Sequence, residues 1–257
     1  MAGQDETAEW SRRTQTVICG DNQDITGREY SGGLYARLPH RDGRTYGTFR
    51  TAAVRVTGSH VTFRHCRFAN TAGPGAHGGP DGSGVGQAIA LYLDGDDICL
   101  EDCVLEGWQD TLFLAPLPQR EVEKDGFRGP GEFLPRTDRS VIFRRCRIEG
   151  SVDFVFGGAT ALFEDCEFVS RESGYVFAPC TPPRREGFTA RRCRFTAWDG
   201  VPEASCYVAR PWREHAAVHL ENCTFGPHIH PDLWAEWSGR IAAGSVHFEA
   251  ENCTFTR

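Results

Sequence analysis

Two aspartates lie at the same distance from two cysteines. Asp110 follows Cys103 by seven residues, and Asp153 follows Cys146 by seven residues. Two carboxyl groups held close together cannot both ionise freely, so one of them takes a raised pKa. One protonated and one ionised carboxyl group supply an acid together with a nucleophile or base. Each aspartate taken alone is explained as a turn residue, and the matched spacing of the two favours a catalytic pair.

The two cysteines belong to a larger set that shares one sequence frame. The residues five and three positions before each cysteine and two positions after it are apolar, and those between are mostly polar. Apolar residues at alternate positions indicate strands with one buried face. The frame is built around Cys66, Cys103, Cys146, Cys166, Cys193, Cys223 and Cys253.

These strands recur at the intervals of a solenoid. Successive cysteines are 37, 43, 20, 27, 30 and 30 residues apart. The chain has neither the ladder of leucine-rich repeats nor the period of helical repeats, which favours an all-β fold, the parallel β-helix. We expect the cysteines to stack as small, buried, reduced residues, and disulfides between some of them are the alternative. Glycine- and proline-rich loops at residues 73–86 and 116–135 fill the two longest intervals.

Stacking of coils sets the expected geometry of the carboxyl groups. Matched offsets place Asp110 and Asp153 on neighbouring rungs about 4.8 Å apart, with their carboxyl groups within about 7 Å of each other. Phe113 and Phe156, each ten residues after its cysteine, are expected to match in the same way.

Composition indicates a globular protein and excludes several classes of partner. The chain has 257 residues, of which 40% are hydrophobic and 25% charged, and we expect one β-helix domain over residues 1–257 with a disordered or poorly packed segment at 1–15. A net charge of -7 argues against nucleic acid as a partner.

No apolar run approaches the ~20 residues of a membrane span. Without a secretory signal the expected location is the cytoplasm, or outside the cell if the true N-terminus is missing. Nothing in the sequence indicates an oligomeric state.

Four ordered motifs carry a family resemblance. They are Gln-Ala-Ile-Ala-Leu at 87–91, Gln-Asp-Thr-Leu at 109–112, Val-Asp-Phe-Val-Phe-Gly at 152–157 and Arg-Pro-Trp at 210–212. With them the chain resembles the pectin methylesterases, especially bacterial members, whose fold is a right-handed parallel β-helix. The resemblance starts near Thr16, and the family's first coil or coils have no counterpart here. Ala209 stands where the family usually has glycine.

The resemblance implies a role for each matching residue. Asp153 is implied as the nucleophile, Asp110 as the general acid and then base, and Arg210 as the partner that orients Asp153. Gln87 and Gln109 are implied as donors to the oxyanion. The substrate would be methyl-esterified galacturonan, with no cofactor and no metal. The residues implied to contact the sugar are Trp212, Phe113, Phe156 and Val152.

Other interpretations stay open at this point. Either glutamine alone would serve equally well in a structural amide ladder, and Trp212 would also fit a core. His228 and His230 would project together, but no third ligand has a spacing that suits a metal. Other functions for such a solenoid are polygalacturonase, pectate lyase, or an inactive carbohydrate-binding protein.

Overall fold

Short strands follow one another along almost the whole described chain. The computed structural model describes residues 15–74, 86–122, 124–237, 241 and 245–256. No helix in this part of the chain is long and apolar enough to cross a membrane. The strands are β1 (Thr16–Ile18), β2 (Asp24–Thr26), β3 (Glu29–Gly32), β4 (Val54–Val56), β5 (Val61–Arg64), β6 (Arg67–Asn70), β7 (Leu91–Leu93), β8 (Ile98–Glu101), β9 (Val104–Glu106), β10 (Leu112–Leu114), β11 (Ser140–Arg144), β12 (Arg147–Gly157), β13 (Thr160–Glu164), β14 (Glu167–Pro179), β15 (Phe188–Arg191), β16 (Arg194–Ala197), β17 (Tyr207–Ala209), β18 (Ala217–Glu221), β19 (Thr224–Phe225), β20 (His247–Glu251) and β21 (Thr254–Phe255).

The strands stack in three parallel faces. Face 1 runs β1-β4-β7-β10 and continues through the second halves of β12 and β14 to β17. Face 2 runs β2-β5-β8-β11-β13-β15-β18-β20. Face 3 runs β3-β6-β9, then through the first halves of β12 and β14 to β16, β19 and β21. The two long strands therefore pass from face 3 to face 1 without ending, and the expected right-handed parallel β-helix is confirmed.

The apolar frame of the sequence is the inward face of this solenoid. Val61 pairs with Ile98 and Phe63 with Leu100 on face 2, and the same register continues up the stack. The residue two positions after each cysteine stacks likewise on face 3. Burial of these ladders is the main favourable contribution to folding, at about 25 cal/mol per Å² of apolar surface.

The cysteines occupy the corner between face 2 and face 3. A residue with left-handed backbone precedes each of them, for example Asp102 with φ 53° and Arg145 with φ 52°. The Cys146 thiol donates to the carbonyl of Leu100 on the previous coil at 3.4 Å, and other ladder thiols repeat this contact. A small apolar side chain with a weak donor therefore fits this corner, which explains why cysteine recurs.

Thiol titration tests the state of these cysteines. All eleven cysteines are unpaired in the structure. We expect denatured protein, kept without reductant, to react with a thiol reagent at most or all of the eleven positions. Finding four or five disulfides would contradict this expectation and would indicate an oxidising compartment.

A ladder of alternating charge runs up the outside of face 2. Its rungs pair in register as Arg64, Glu101, Arg144, Glu164, Arg191 and Glu221. Nitrogen–oxygen distances within it include 3.0 Å for Arg64 and Glu101 and 2.9 Å for Arg191 and Glu221. The alternation ends at the last coil, where Glu221 pairs in register with Glu251. We refer to these side chains as the charge ladder.

The first and last coils depart from the predicted frame. A coil formed by β1, β2 and β3 precedes the Cys66 coil, and its Arg28 takes the position of the cysteine, so the frame did not reveal it. In the last coil Cys253 is only partly buried and Phe255 is 47% exposed. Cys253 still packs against the core, and its exposure follows from the position of this coil, which no further coil in the described chain covers.

The predicted loops divide between described and undescribed residues. Residues 1–14 and 75–85, and with them most of the two segments expected to be poorly packed or looped, lie outside the described part. The loop at 116–135, described except for residue 123, forms turns without strands. Ion pairs join it to the segment before β4, with Arg44 and Asp125 at 2.6 Å and Arg128 and Asp42 at 3.6 Å. Together these two segments form walls above face 1.

Candidate active site

The two aspartates occupy equivalent turns on neighbouring rungs. The Asp110 amide donates to the carbonyl of Val152 at 3.0 Å, which sets Asp110 beside Asp153. Both have left-handed backbone, with φ 63° and 52°. The glycine before each turn is needed for close approach, because a Cβ at Gly150 would lie 2.1 Å from the Cβ of Phe154, and one at Gly107 would lie 2.5 Å from a Thr111 oxygen. The matched offset seen in the sequence is thus a matched turn.

Arg210 pairs with only one of the two carboxyl groups. Its Nε donates to Oδ1 of Asp153 at 2.8 Å and its Nη2 donates to Oδ2 at 2.6 Å. Arg210 follows β17, which stands on face 1 next to the second half of β14. Such a two-point pairing orients the carboxylate and favours its charged form.

Burial and charge separate the two aspartates. Asp110 and Asp153 are 7% and 6% exposed. Burial, together with the charge of Asp153, raises the pKa of Asp110 well above its usual range. Burial also raises the pKa of Asp153, but the hydrogen bonds from Arg210 act against that effect. Asp110 is therefore the member of the pair that holds a proton, and Asp153 is the member that more readily carries charge.

The two glutamines lie on neighbouring rungs beside the aspartates. The Ala88 amide donates to the carbonyl of Gln109 at 3.1 Å, which stacks the Gln87 segment on the Gln109 segment. Buried Asn70 fixes the Gln87 segment from behind, since its Nδ2 donates to the carbonyl of Ile89 at 3.0 Å. Both glutamines are half-buried and line the same cleft as the carboxyl groups.

The cleft has a volume of about 200 Å³. Past Trp212 it borders a second cavity of about 600 Å³, lined in part by Leu117, Pro182 and His215. The cleft itself is lined by Thr48, Phe49, Gln87, Gln109, Asp110, Val122, Gly126, Phe127, Asp153, Phe156, Ala178, Arg210, Trp212, Arg213 and Trp237.

Two of the expected sugar contacts do not reach the cleft. Phe113 pairs in register with Phe156 as expected, but it is fully buried beneath Phe156 and Phe49, so the prediction that it contacts substrate is wrong. Val152 also lies outside the cleft lining, half-buried on a rung shared with Tyr175. Both residues support the cleft. Phe156 and Trp212 do line it, 5.7 Å apart between ring centroids.

Several cleft residues had no signal in the repeat. Phe49 comes from a short 3₁₀ helix at Thr48–Arg50, and Phe127 comes from the loop at 116–135. Their rings are 6.2 Å apart and close the wall above Phe156. Trp237, near the end of the chain, also lines the cleft. Segments outside the strands have no fixed spacing from the repeated cysteines. Their aromatic residues were therefore the only indication that they line the cleft.

The two histidines considered for a metal point to different surroundings. His228 is 3% exposed, and burial lowers its pKa to about 4. His230 stacks on Tyr207 with ring centroids 4.6 Å apart. Among the described residues no group of three or more His, Cys, Asp or Glu side chains is arranged to hold a metal.

Known proteins share both sequence and fold with this chain. A family model described as Pectinesterase matches residues 11–123 and 134–254. Probable pectinesterase 30 of Arabidopsis thaliana is 29% identical over 241 residues, which are 90% of this chain and 41% of that protein. A pectin methylesterase from Aspergillus niger superposes with a TM-score of 0.68 at 19% identity, covering 99% of this chain and 82% of the other. A pectin methylesterase solved with a hexasaccharide superposes with a TM-score of 0.64 at 22% identity, covering 92% and 84%.

The matches differ in how much of each protein they cover. The chain spans less than half the length of the curated relatives that it matches, for example 41% of the first and 28% of another. The family model, in contrast, accounts for nearly all of the described strands. The chain belongs to the pectinesterase family.

Proposed function

We propose that this protein is a carboxylic ester hydrolase that removes methyl groups from methyl-esterified galacturonan and releases methanol. The observation that carries the proposal is the asymmetric pair of buried carboxyl groups, of which Arg210 holds only Asp153, in a cleft that also holds two amide side chains. Family membership and the names of the relatives support the same reaction.

The first half of the reaction forms an acyl-enzyme. A carboxylate oxygen of Asp153 attacks the ester carbonyl carbon, and the carbonyl electrons move to its oxygen. The amides of Gln87 and Gln109 donate hydrogen bonds to this oxyanion and, being neutral, do not titrate. The bond to the methoxy oxygen then breaks, and Asp110 gives its proton to that oxygen, so that methanol leaves and a mixed anhydride on Asp153 remains.

The second half returns the enzyme to its starting state. Asp110, now ionised, takes a proton from water while the water oxygen attacks the anhydride carbonyl. The bond to the Asp153 oxygen breaks, which restores the Asp153 carboxylate and releases a galacturonic acid carboxyl group, whose proton then passes to solvent. The same two amides stabilise the second oxyanion. Burial serves both steps, because it keeps Asp110 protonated before the first and makes it a stronger base in the second.

The size of the site favours an oligomer over a single sugar. The cleft of about 200 Å³ borders the cavity of about 600 Å³ at Trp212, which lines both. Trp212, which is half-buried and lines the cleft, suits a sugar ring, whose apolar face stacks on an aromatic side chain. The relative solved with a hexasaccharide supports a chain of several sugars as the substrate.

Three products distinguish the candidate reactions. The protein is mixed with methyl-esterified oligogalacturonate, and methanol, new reducing ends and the ultraviolet absorbance of unsaturated sugars are followed together. We expect methanol alone, with the substrate length unchanged, and no loss of rate when a chelator is added. The Asp153→Asn protein serves as the blank.

Each other result points to another function. New reducing ends without methanol would favour a polygalacturonase, in which positive charge builds up on the sugar and amide donors gain little. Unsaturated products that depend on calcium would favour a pectate lyase. Binding without any product, from folded protein, would favour a carbohydrate-binding solenoid.

A further inference from the structure

Arg210 lies between two aromatic rings as well as against Asp153. Its guanidinium carbon is 3.9 Å from the ring centroid of Tyr175 and 3.9 Å from that of Trp237. The carboxylate fixes the edge of the guanidinium plane, and the two rings cover its faces. Tilting of the guanidinium out of the plane that it shares with the carboxylate is thus restricted on both faces.

The two rings are themselves held by the solenoid. Tyr175 lies in β14 and pairs in register with Tyr207 of β17. The rings of Tyr175 and Tyr207 stack at 5.9 Å, and His230 stacks on the far side of Tyr207 at 4.6 Å. Trp237 is placed by the backbone before it, since the Ala235 amide donates to the Ala209 carbonyl at 2.9 Å. A continuous aromatic column therefore supports one face of Arg210.

We propose that Tyr175 and Trp237 are positioning residues that clamp Arg210 against Asp153 and so keep the nucleophile charged and correctly oriented. This inference rests on the proposed function, in which Asp153 attacks the ester. Neither ring is required to touch the reacting atoms. The described residues that line the cleft do not include Tyr175, so a substrate contact is not a competing explanation for it.

The charges around Asp153 show why its partner must stay in place. Asp110 faces it from the neighbouring turn, Arg210 bonds to it, and Arg213 lines the same cleft. Burial raises the pKa of Asp153, and the bonds from Arg210 are the effect that opposes this. If the guanidinium tilts away, the pKa of Asp153 rises further and a smaller fraction of the protein carries the charged nucleophile at a given pH.

The chain contains a matched control for this arrangement. Arg171 lies beside Trp108 and Trp198, at 5.3 and 4.5 Å from their ring centroids, and the two rings contact each other edge to face at 5.8 Å. It too pairs with a buried carboxylate, Glu149, through nitrogen–oxygen distances of 3.0 and 2.9 Å. Trp198 lies outside the cleft lining and is 42% exposed. Trp198→Leu therefore removes the same kind of contact from an arginine that serves no reacting group.

The experiment compares Tyr175→Leu, Trp237→Leu, Tyr175→Phe and Trp198→Leu. The pH dependence of kcat/KM is measured for methanol release, and the pKa of Asp153 is measured in the free protein by NMR of ¹³C-labelled aspartate, with Asp153→Asn to assign the signal. In both leucine variants at the clamp we expect the acid limb of kcat/KM and the pKa of Asp153 to rise together by about one pH unit. Tyr175→Phe, which keeps the ring, and Trp198→Leu should match the wild type.

The outcomes separate the clamp from its alternatives. A raised KM at every pH with an unchanged acid limb and an unchanged pKa of Asp153 would overturn the proposal. If one leucine variant does not fold, Trp237→Phe, with a smaller ring, is expected to give a partial shift. If the wild type releases no methanol the proposed function fails, and the NMR titration still decides whether the rings control the pKa of Asp153.

Discussion

Asp153→Asn is expected to lower the rate of methanol release by about 10⁴-fold or more, because an amide cannot supply the attacking carboxylate oxygen. Asparagine also tolerates the left-handed backbone that this turn imposes, so the solenoid should still form. Two effects on stability oppose each other: Arg210 loses its ionic partner, but the protein no longer buries the charge of Asp153, whose pKa is raised by burial. We therefore expect only a small change in stability. Circular dichroism and thermal unfolding measure this, and the methanol assay measures the rate.

Glu149→Gln is the matched control for this prediction. Glu149 is also a buried carboxylate paired with an arginine, Arg171, but it lies outside the cleft. Burial acts against the charge of Glu149, but the hydrogen bonds from Arg147 and Arg171 prevail and hold its pKa below the usual range. We therefore expect Glu149→Gln to lose stability with nearly unchanged turnover. Should Asp153→Asn keep wild-type turnover, the nucleophile is another residue. Should Glu149→Gln lose activity as strongly, the effect of both variants would be structural.

Asp110→Asn is expected to show lower activity together with higher stability. Loss of proton transfer at this position should slow turnover by roughly 10²- to 10⁴-fold. The folded state of the wild type holds the Asp110 proton more tightly than the unfolded state does, since burial raises its pKa. Wild-type stability from this group therefore falls as the pH rises from the unfolded pKa, near 3.9, through the folded pKa. An asparagine does not titrate and avoids that loss.

Unfolding measured at several pH values tests this prediction. The midpoint temperature of Asp110→Asn minus that of the wild type should be close to zero near pH 4 and should increase with pH until Asp110 is ionised in the folded wild type. A difference that is constant with pH would contradict a raised pKa for Asp110.

The strands were predictable because each coil repeats one chemical requirement. The corner between face 2 and face 3 needs a small apolar residue with a donor, and a cysteine meets that need coil after coil. The frame therefore gave the inward ladders, their register and the matched turns of Asp110 and Asp153. The first coil was missed because Arg28 takes that corner.

The walls of the cleft were less predictable for a physical reason. Phe113 and Phe156 share one offset, yet the loops cover Phe113 completely and leave the edge of Phe156 in the cleft. Phe49 and Phe127 meet where two irregular segments, also joined by ion pairs, come together. Tyr175 and Trp237 meet at Arg210 from different rungs. None of these encounters follows a period, so side-chain contacts in three dimensions were needed to find them.

The charge ladder has a consequence for mistakes in assembly. Because its signs alternate, a coil that skips one neighbour brings two like charges together, as Arg144 would meet Arg191 if the Glu164 coil were looped out. Like charges directly opposite each other on a sheet are unfavourable. Skipping two coils restores opposite signs, since Arg144 would then meet Glu221. The alternation of charge thus disfavours misfolded states in which an odd number of coils is skipped. It also predicts that deleting two coils is tolerated better than deleting one.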